Sequence, residues 1–500
     1  MAGRALIRAL LNAALLTGLI ASLVGCADAP RDGLRFALSS APINLDPRFA
    51  TDAASVRVNR LIYQRLVAFD DSARPVPGVA TWVRLSPTHY RFNLDSRAAQ
   101  FDSGADLTAH DVKATYDSVL EPATASPHRA GLAMIARIEV VDRLTVDFHL
   151  NKADPLFPGR LVIGILSADA LVNGHSFRDQ PRGSGPFRFV ERPHEGVLRL
   201  QRRIDGMGLE FLEVKNPTVR ALKLLRGEVD MLQNDLPTEL IAYLEQQPGV
   251  TVDRGRGSVF TYLGFNLQDP VTGDRHVRRA VALALDRRAM IKYVLAQVAT
   301  PASALLPPDH WAGNAQLAAY EYDPDEARRL LRQAGYSDTR RPTVVYKTSS
   351  DPFRVRLATI IQQQLADVGI DVELRSYDWG TFYGDVKAGR FQMYSLSWVG
   401  IKTPDIFRYA FHSASVPPQG ANRGRLVDAD VDALIEAAEG ADDLTAQAEY
   451  YRRLQARLLE QLPYVPLWYE DHVVIARGNI AGYTLARDGN YDGLIHVQRR

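Results

Sequence analysis

The chain has 500 residues, 46% hydrophobic and 23% charged, a composition typical of folded globular proteins and a length that calls for two or three lobes rather than one core. A formal net charge of +1, from 59 basic and 58 acidic residues, excludes a general electrostatic attraction to nucleic acid or to an anionic membrane. The single cysteine excludes a disulfide within the chain and every Cys-x-x-Cys metal motif.

In chain order, Arg4 and Arg8 precede an apolar run from Ala9 to Gly25, broken by Asn12, Thr17 and Ser22. A positive start, a short apolar stretch and small residues before Cys26 make a secretory signal over residues 1–25, too short and interrupted for a membrane-spanning helix. Leu23-Val24-Gly25-Cys26 resembles the lipobox of bacterial lipoproteins. That implies cleavage before Cys26, lipidation of its thiol, and a mature chain anchored to a membrane outside the cytoplasm. Ala27 after the cysteine resembles the pattern sent to the outer membrane in Gram-negative bacteria, so the leaflet stays open.

Residues 33–39 ("GLRFALS") form a short strand, and Val56, Leu61, Ile62 and Leu66 fall near helical spacing over 53–66. "THYRFNLDS" alternates Tyr90, Phe92 and Leu94 with polar residues, as a half-buried strand does. Thr108 is a helix N-cap with Asp111 three residues on, and "RIEVVDRLTVDFHL" is a strand pair turning at Asp142-Arg143. "RGSGPFRFVE" is a glycine turn entering a strand, where backbone passes close to backbone. Val277, Val281, Leu285, Ile291 and Leu295 recur at helical intervals. Asp323, Pro324 and Gly335 bound another helix completely.

The region 343–398 is the most regular. Thr343–Ser350, Ile370–Tyr377 and Phe391–Trp398 read as strands, with helices from Asp351-Pro352 to Gly369 and from Asp378 to Gly389 between them. Strand-helix alternation at this spacing implies parallel strands with right-handed crossovers, and ligands sit beyond the carboxyl ends of such strands. Those ends are Thr348-Ser349-Ser350, Tyr377 and Ser397-Trp398-Val399-Gly400.

No catalytic motif emerges. His194-Glu195 is followed by Gly-Val-Leu, so the His-Glu-x-x-His pattern fails, and the scattered histidines read as surface or structural groups. The glycine runs at 206–208 and 255–258 lack the rest of a phosphate-binding loop, and "RGSGPF" lacks the nucleophile elbow. The expectation is binding, without an enzymatic step, cofactor or metal.

Over nearly all of the mature chain, an ordered series of segments resembles the substrate-binding proteins of ABC importers, in the group that includes dipeptide-, oligopeptide- and nickel-binding proteins. The segments include "INLDPRFATDAASVRVNRLIYQRLVAFD", "GSGPF", "LRGEVDML", "YLGFNLQDP", "VRRAVALALDR" and "IIQQQLADVGIDVELRSYDWGTFYGDVKAGRFQMYSLSW". The resemblance implies an α/β fold of the type II periplasmic-binding-protein kind, with two lobes and an extra inserted domain. Its expected bounds are 26–69, 181–259 and 475–500 for the first lobe, 70–180 for the inserted domain and 260–474 for the second lobe, hinged near Tyr262 and Val474. It also implies a monomer that takes a peptide or peptide-like ligand in the interlobe cleft and delivers it to an ABC permease and ATPase in the inner membrane.

Residue by residue, the family's Trp-x-x-Asp segment, whose carboxylate meets a peptide's α-amine, corresponds to Trp398-Val399-Gly400-Ile401; Ile401 stands where the aspartate is expected. Asp405 is close enough in sequence to take over, or else caps the next helix. Arg354 and Arg356 correspond to arginines that the dipeptide binder places at this helix start, one of them to clamp a ligand carboxylate, and Trp398 is either a ligand-stacking surface, the favoured reading, or a wall of the core. Thr51, Asp52, Tyr262, Tyr377, Ser397, Gly400 and Asn422 complete the expected ligand-binding set. A cell-envelope hydrolase and a ligand sensor on the same fold are the rival functions.

Overall fold

A computed structural model describes residues 33–95 and 100–500. The signal segment and Cys26 lie outside the described residues. Among those described, no helix is long and apolar enough to cross a membrane.

Two long strands, Val250–Phe265 and Tyr464–Arg477, run antiparallel from the Val250–Arg477 pair to the Gly264–Tyr464 pair. They are shared by both lobes. On one side, Met231–Gln233 pairs with the second crossing strand and, through Leu34–Leu38, leads to Gly208–Glu213, Val197–Arg202 and Phe187–Glu191. On the other, Met393–Trp398 pairs with the first crossing strand and leads in parallel to Thr343–Ser349 and Asp371–Tyr377. The expected parallel strand-helix unit is present, with Pro352–Asp367 capped by Asp351 and Trp379–Ala388 ended by Gly389 in the left-handed conformation. A separate four-stranded antiparallel sheet, between Ala80 and Leu150, packs on the helix Ala109–Leu120 around Phe92, Phe148 and Tyr116. That helix starts with a reciprocal cap: Asp111 Oδ2 accepts from the Thr108 backbone N–H at 2.8 Å.

Two helical readings differ. The helix Ala53–Ile62 ends before Leu66 and buries Ala54, Val58, Leu61 and Ile62, leaving Val56 exposed. The segment after Asp274 is two helices, Arg275–Ala284 and Arg287–Tyr293, because Asp286 accepts a hydrogen bond from the Ala289 N–H and starts a new helix. The glycine turn behaves as expected: a side chain on Gly183 would begin 1.9 Å from the Ile62 carbonyl oxygen.

The crossing pair is irregular between Gly255 and Val259 and again between Thr261 and Tyr262. Bulges bend and twist a strand, so the lobes are joined at a locally unladdered point. At Gly257 a Cβ would lie 2.1 Å from the Glu470 carbonyl oxygen. Gly257→Ala therefore forces the two crossing strands apart, and the expected cost is about 1–3 kcal/mol, measured by urea unfolding. An unchanged midpoint would contradict the close approach.

Candidate functional site: the interlobe cleft

The crossing strands floor a cleft of about 930 Å³. Ala53 and Arg57 face it from the first lobe together with the segment 234–239; Asp351–Arg354, Arg356 and Val399 face it from the second. The second-lobe wall is the predicted one: a helix starts at the carboxyl end of Thr343–Ser349, its Asp351 cap accepts from the Arg354 N–H at 2.9 Å, and both arginines project from its first turn.

A polar chain runs from the sheet into the cleft. Thr261 Oγ1 donates to Glu470 Oε1 at 2.8 Å, so Ser397 Oγ, 2.7 Å from Thr261 Oγ1, donates to it in turn. Arg354 Nη2 reaches the same Glu470 oxygen at 3.4 Å. Arg356 Nη1 donates across the cleft to Glu239 at 2.8 Å, a contact between the lobes. Both pairs are substantially exposed, and such pairs are weak and exchangeable. Arg57 sits 5.6 Å from the Tyr491 ring centroid, makes no ion pair among the described residues, and lines the cleft.

Two groups on the floor are perturbed. Burial raises the Asp471 carboxyl pKa, although the Gly257 N–H and the Thr300 hydroxyl donate to it. Burial lowers the His472 pKa. Its Nδ1 accepts from Asn234 Nδ2 at 3.0 Å and its Nε2 donates to the Arg487 carbonyl at 3.0 Å, the arrangement of a neutral ring.

Several expected ligand residues lie elsewhere. Tyr262 is fully buried: it stacks on Tyr464 at 3.9 Å and its hydroxyl accepts from Arg423 at 3.1 Å, so it belongs to the second-lobe core. Asn422 is 2% exposed and spends its amide on the His412 and Leu426 carbonyls and the Leu426 N–H, which makes it a loop brace. Trp398 is half-buried with the Arg423 guanidinium 5.0 Å from its ring centroid, so a protein cation already covers the surface expected to stack on a ligand. Tyr377 is likewise covered, by Lys347 at 5.3 Å. Asp52 caps the Ala53–Ile62 helix through the Ser55 N–H. Thr51 and Gly400 are exposed, Gly400 in the left-handed conformation with φ +73°.

Asp405 does not replace the missing aspartate either. It pairs with Arg160 at 3.2 Å and accepts from Thr403, tying the inserted domain to the second lobe. Ile401 lines a different hollow of about 210 Å³. There Lys402 donates to Asp488 at 2.9 Å, another bond between the lobes. Burial works against the Asp488 charge, but Lys402 and Arg60 outweigh it and hold the carboxyl at about 2. The residues that sequence reasoning missed, Arg57, Glu239, Glu470 and Asp471, lie on segments that become neighbours only when the chain crosses between lobes.

Two α/β lobes joined by paired crossing strands around a charged cleft, with a further domain inserted, define a type II periplasmic binding protein. The model of bacterial extracellular solute-binding proteins, family 5 Middle, matches residues 74–417, and the chain belongs to that family. Its members are binding proteins that work outside the cytoplasm. The chain is 27% identical to di/tripeptide-binding protein 2 of Pseudomonas aeruginosa, over 91% of this chain and 97% of the relative. It is 24% identical to heme-binding protein A of Haemophilus influenzae, over 92% and 91% respectively. The solved structure of NikA from Brucella suis in complex with Fe(III)-EDTA superposes with a TM-score of 0.83 at 22% identity, covering 94% of this chain and 100% of that one, which shows the shared fold.

The His472 environment sets a pH dependence. Its folded pKa lies below the unfolded value of 6.5, so the unfolded chain binds more protons as the pH falls through that value. The histidine's contribution to stability is complete above about pH 6.5 and is lost below it, at no more than about 1.4 kcal/mol per pH unit. In thermal unfolding between neutral pH and pH about 5.5, His472→Gln is expected to lose less stability than the parent; equal losses would contradict the neutral, doubly bonded ring.

Proposed function

We propose that this protein is the lipid-anchored substrate-binding component of an ABC importer, and that it takes a di- or tripeptide, or a peptide-like solute of that size, between its lobes. One observation carries the proposal: cationic Arg57 and Arg354 and the Glu470 carboxylate face a single cleft formed by both lobes and their crossing strands. A peptide zwitterion brings both charges. Its carboxylate suits the guanidiniums, which match it bidentately, with help from the N-terminus of the Pro352–Asp367 helix. Its amine suits Glu470, released from Arg354 when the ligand carboxylate takes that arginine. Glu470 then does the work of the aspartate that Ile401 replaces. Arg356, Thr51, Ser397 and Gly400 are second-rank contacts, met as the cleft narrows.

The same proposal has the lobes divide near the bounds expected from the sequence, with the bend at the Gly255–Val259 irregularity rather than at Tyr262. It has Cys26 carry the lipid, a monomer deliver the solute to the permease and ATPase in the inner membrane, and the solute leave chemically unchanged. The di/tripeptide-binding relative supports the ligand class.

Titration calorimetry with unmodified di- and tripeptides tests it, guided by native mass spectrometry of whatever co-purifies. One peptide per chain is expected, with Arg354→Ala and Glu470→Gln each weakening binding at least about tenfold, or about 1.4 kcal/mol. N-acetylated peptides that bind as tightly as free ones would overturn the role of Glu470. A co-purifying solute without a carboxylate would overturn the peptide class.

A further inference from the structure

The outward face of the four-stranded sheet in the inserted domain carries a constellation that shares no residue with the cleft. On the strand Thr145–Leu150, Val146, Phe148 and Leu150 are in the core, so alternation sends Asp147 and His149 to the opposite face. The antiparallel register sets His89 directly across from His149, and Arg91 across from Asp147. On the other flank, Arg137 faces His149 and Glu139 faces Asp147.

The donor atoms of His89, Asp147 and His149 all lie within 4.8 Å of one another. His89 Nε2 is 2.9 Å from Asp147 Oδ2, and the two imidazoles stack with centroids 4.1 Å apart. Arg91 holds the carboxylate in place, with Nε on Oδ1 at 2.8 Å and Nη2 on Oδ2 at 2.8 Å. Arg137 Nη2 lies 3.0 Å from His149 Nε2. A guanidinium only donates, so that ring nitrogen presents a lone pair toward it. Glu139 Oε2 is 3.5 Å from the same nitrogen.

We propose that His89, Asp147 and His149 form a binding site for a borderline divalent transition metal, with Zn²⁺ as its representative, and that Glu139 or water fills the fourth position. Two imidazoles and a carboxylate are the donor set such ions take, whereas Ca²⁺ and Mg²⁺ want all-oxygen shells. Bonds of about 2.0–2.2 Å in a tetrahedron put donors about 3.4 Å apart, so no pair of donors needs to close by more than about 1.4 Å, a shift within reach of side-chain rotation. The ion takes the place of the His89–Asp147 hydrogen bond. Arg91 keeps Oδ1 and orients the ligating carboxylate, as outer-shell partners do. Arg137, whose side chain is 62% exposed, swings into solvent and gives up the His149 lone pair. The two nearby guanidiniums make this an exchangeable site, weaker than a buried structural zinc centre.

The test titrates the mature chain, free of any polyhistidine tag, with Zn²⁺ alone in a calorimeter at neutral pH. One ion per chain with micromolar affinity is expected. His89→Asn and His149→Asn each weaken it at least about tenfold, while His194→Asn, an exposed histidine outside the cluster, leaves it unchanged. Co²⁺ bound to the parent shows a visible d–d band that His89→Asn abolishes. Arg137→Gln removes the competing donor and is expected to tighten binding, which keeps the test decisive should a histidine variant misfold. Binding no stronger than millimolar, affinity indifferent to both histidine substitutions, or weaker binding by Arg137→Gln would each overturn the site.

Discussion

The antiparallel pairing of Val250–Phe265 with Tyr464–Arg477 is the constraint on which everything else depends. Each strand extends into both lobes, so one ladder both connects the lobes and floors the cleft. Breaking its register at Gly255–Val259 leaves backbone groups without ladder partners where the lobes meet. The structure compensates locally: the Gly257 N–H donates to the Asp471 carboxylate. Asp471, which stabilises the irregularity, is therefore also part of the cleft's polar floor. Hinge closure of this kind needs only a few residues to absorb the change in backbone angles.

The contacts between lobes fall into two energetic kinds. Arg356–Glu239 and Arg354–Glu470 are partly solvated and contribute little net stability, so a ligand carrying the same charges replaces them at small cost. At Lys402–Asp488 burial works against both charges, and removing one partner would leave the other charge without compensation. In the proposed function, binding is an exchange of the cleft-side ion pairs for ligand ion pairs, with water expelled as the gap narrows.

Much of the fold is legible in the sequence because its signals are local. The strand-helix alternation over 343–398, the Thr108–Asp111 cap, the Asp323-Pro324 helix start and the glycines of "GSGPF" each depend on residues within a few positions of one another. The position of Arg354 and Arg356 at the cleft was legible for the same reason, since a helix begun by Asp351-Pro352 at a strand's carboxyl end points its first turn there. What failed was side-chain depth. Tyr262 and Trp398 are in the expected strands, but Arg423, from a distant loop, occupies the space beside them, and no local pattern announces that. Glu470 and Arg57 were missed because they come to line one cleft only through the crossing pair. His89 and His149 stood in strands read correctly as strands; only the register between those strands shows that they face each other.

Small-angle X-ray scattering of the mature protein, with and without a saturating dipeptide shown by calorimetry to bind, tests the central claim most directly. A ladder bent at Gly255–Val259 predicts a smaller radius of gyration in the bound state, as the second lobe swings toward the first. An identical scattering curve at full occupancy would contradict an account in which two lobes close around the solute.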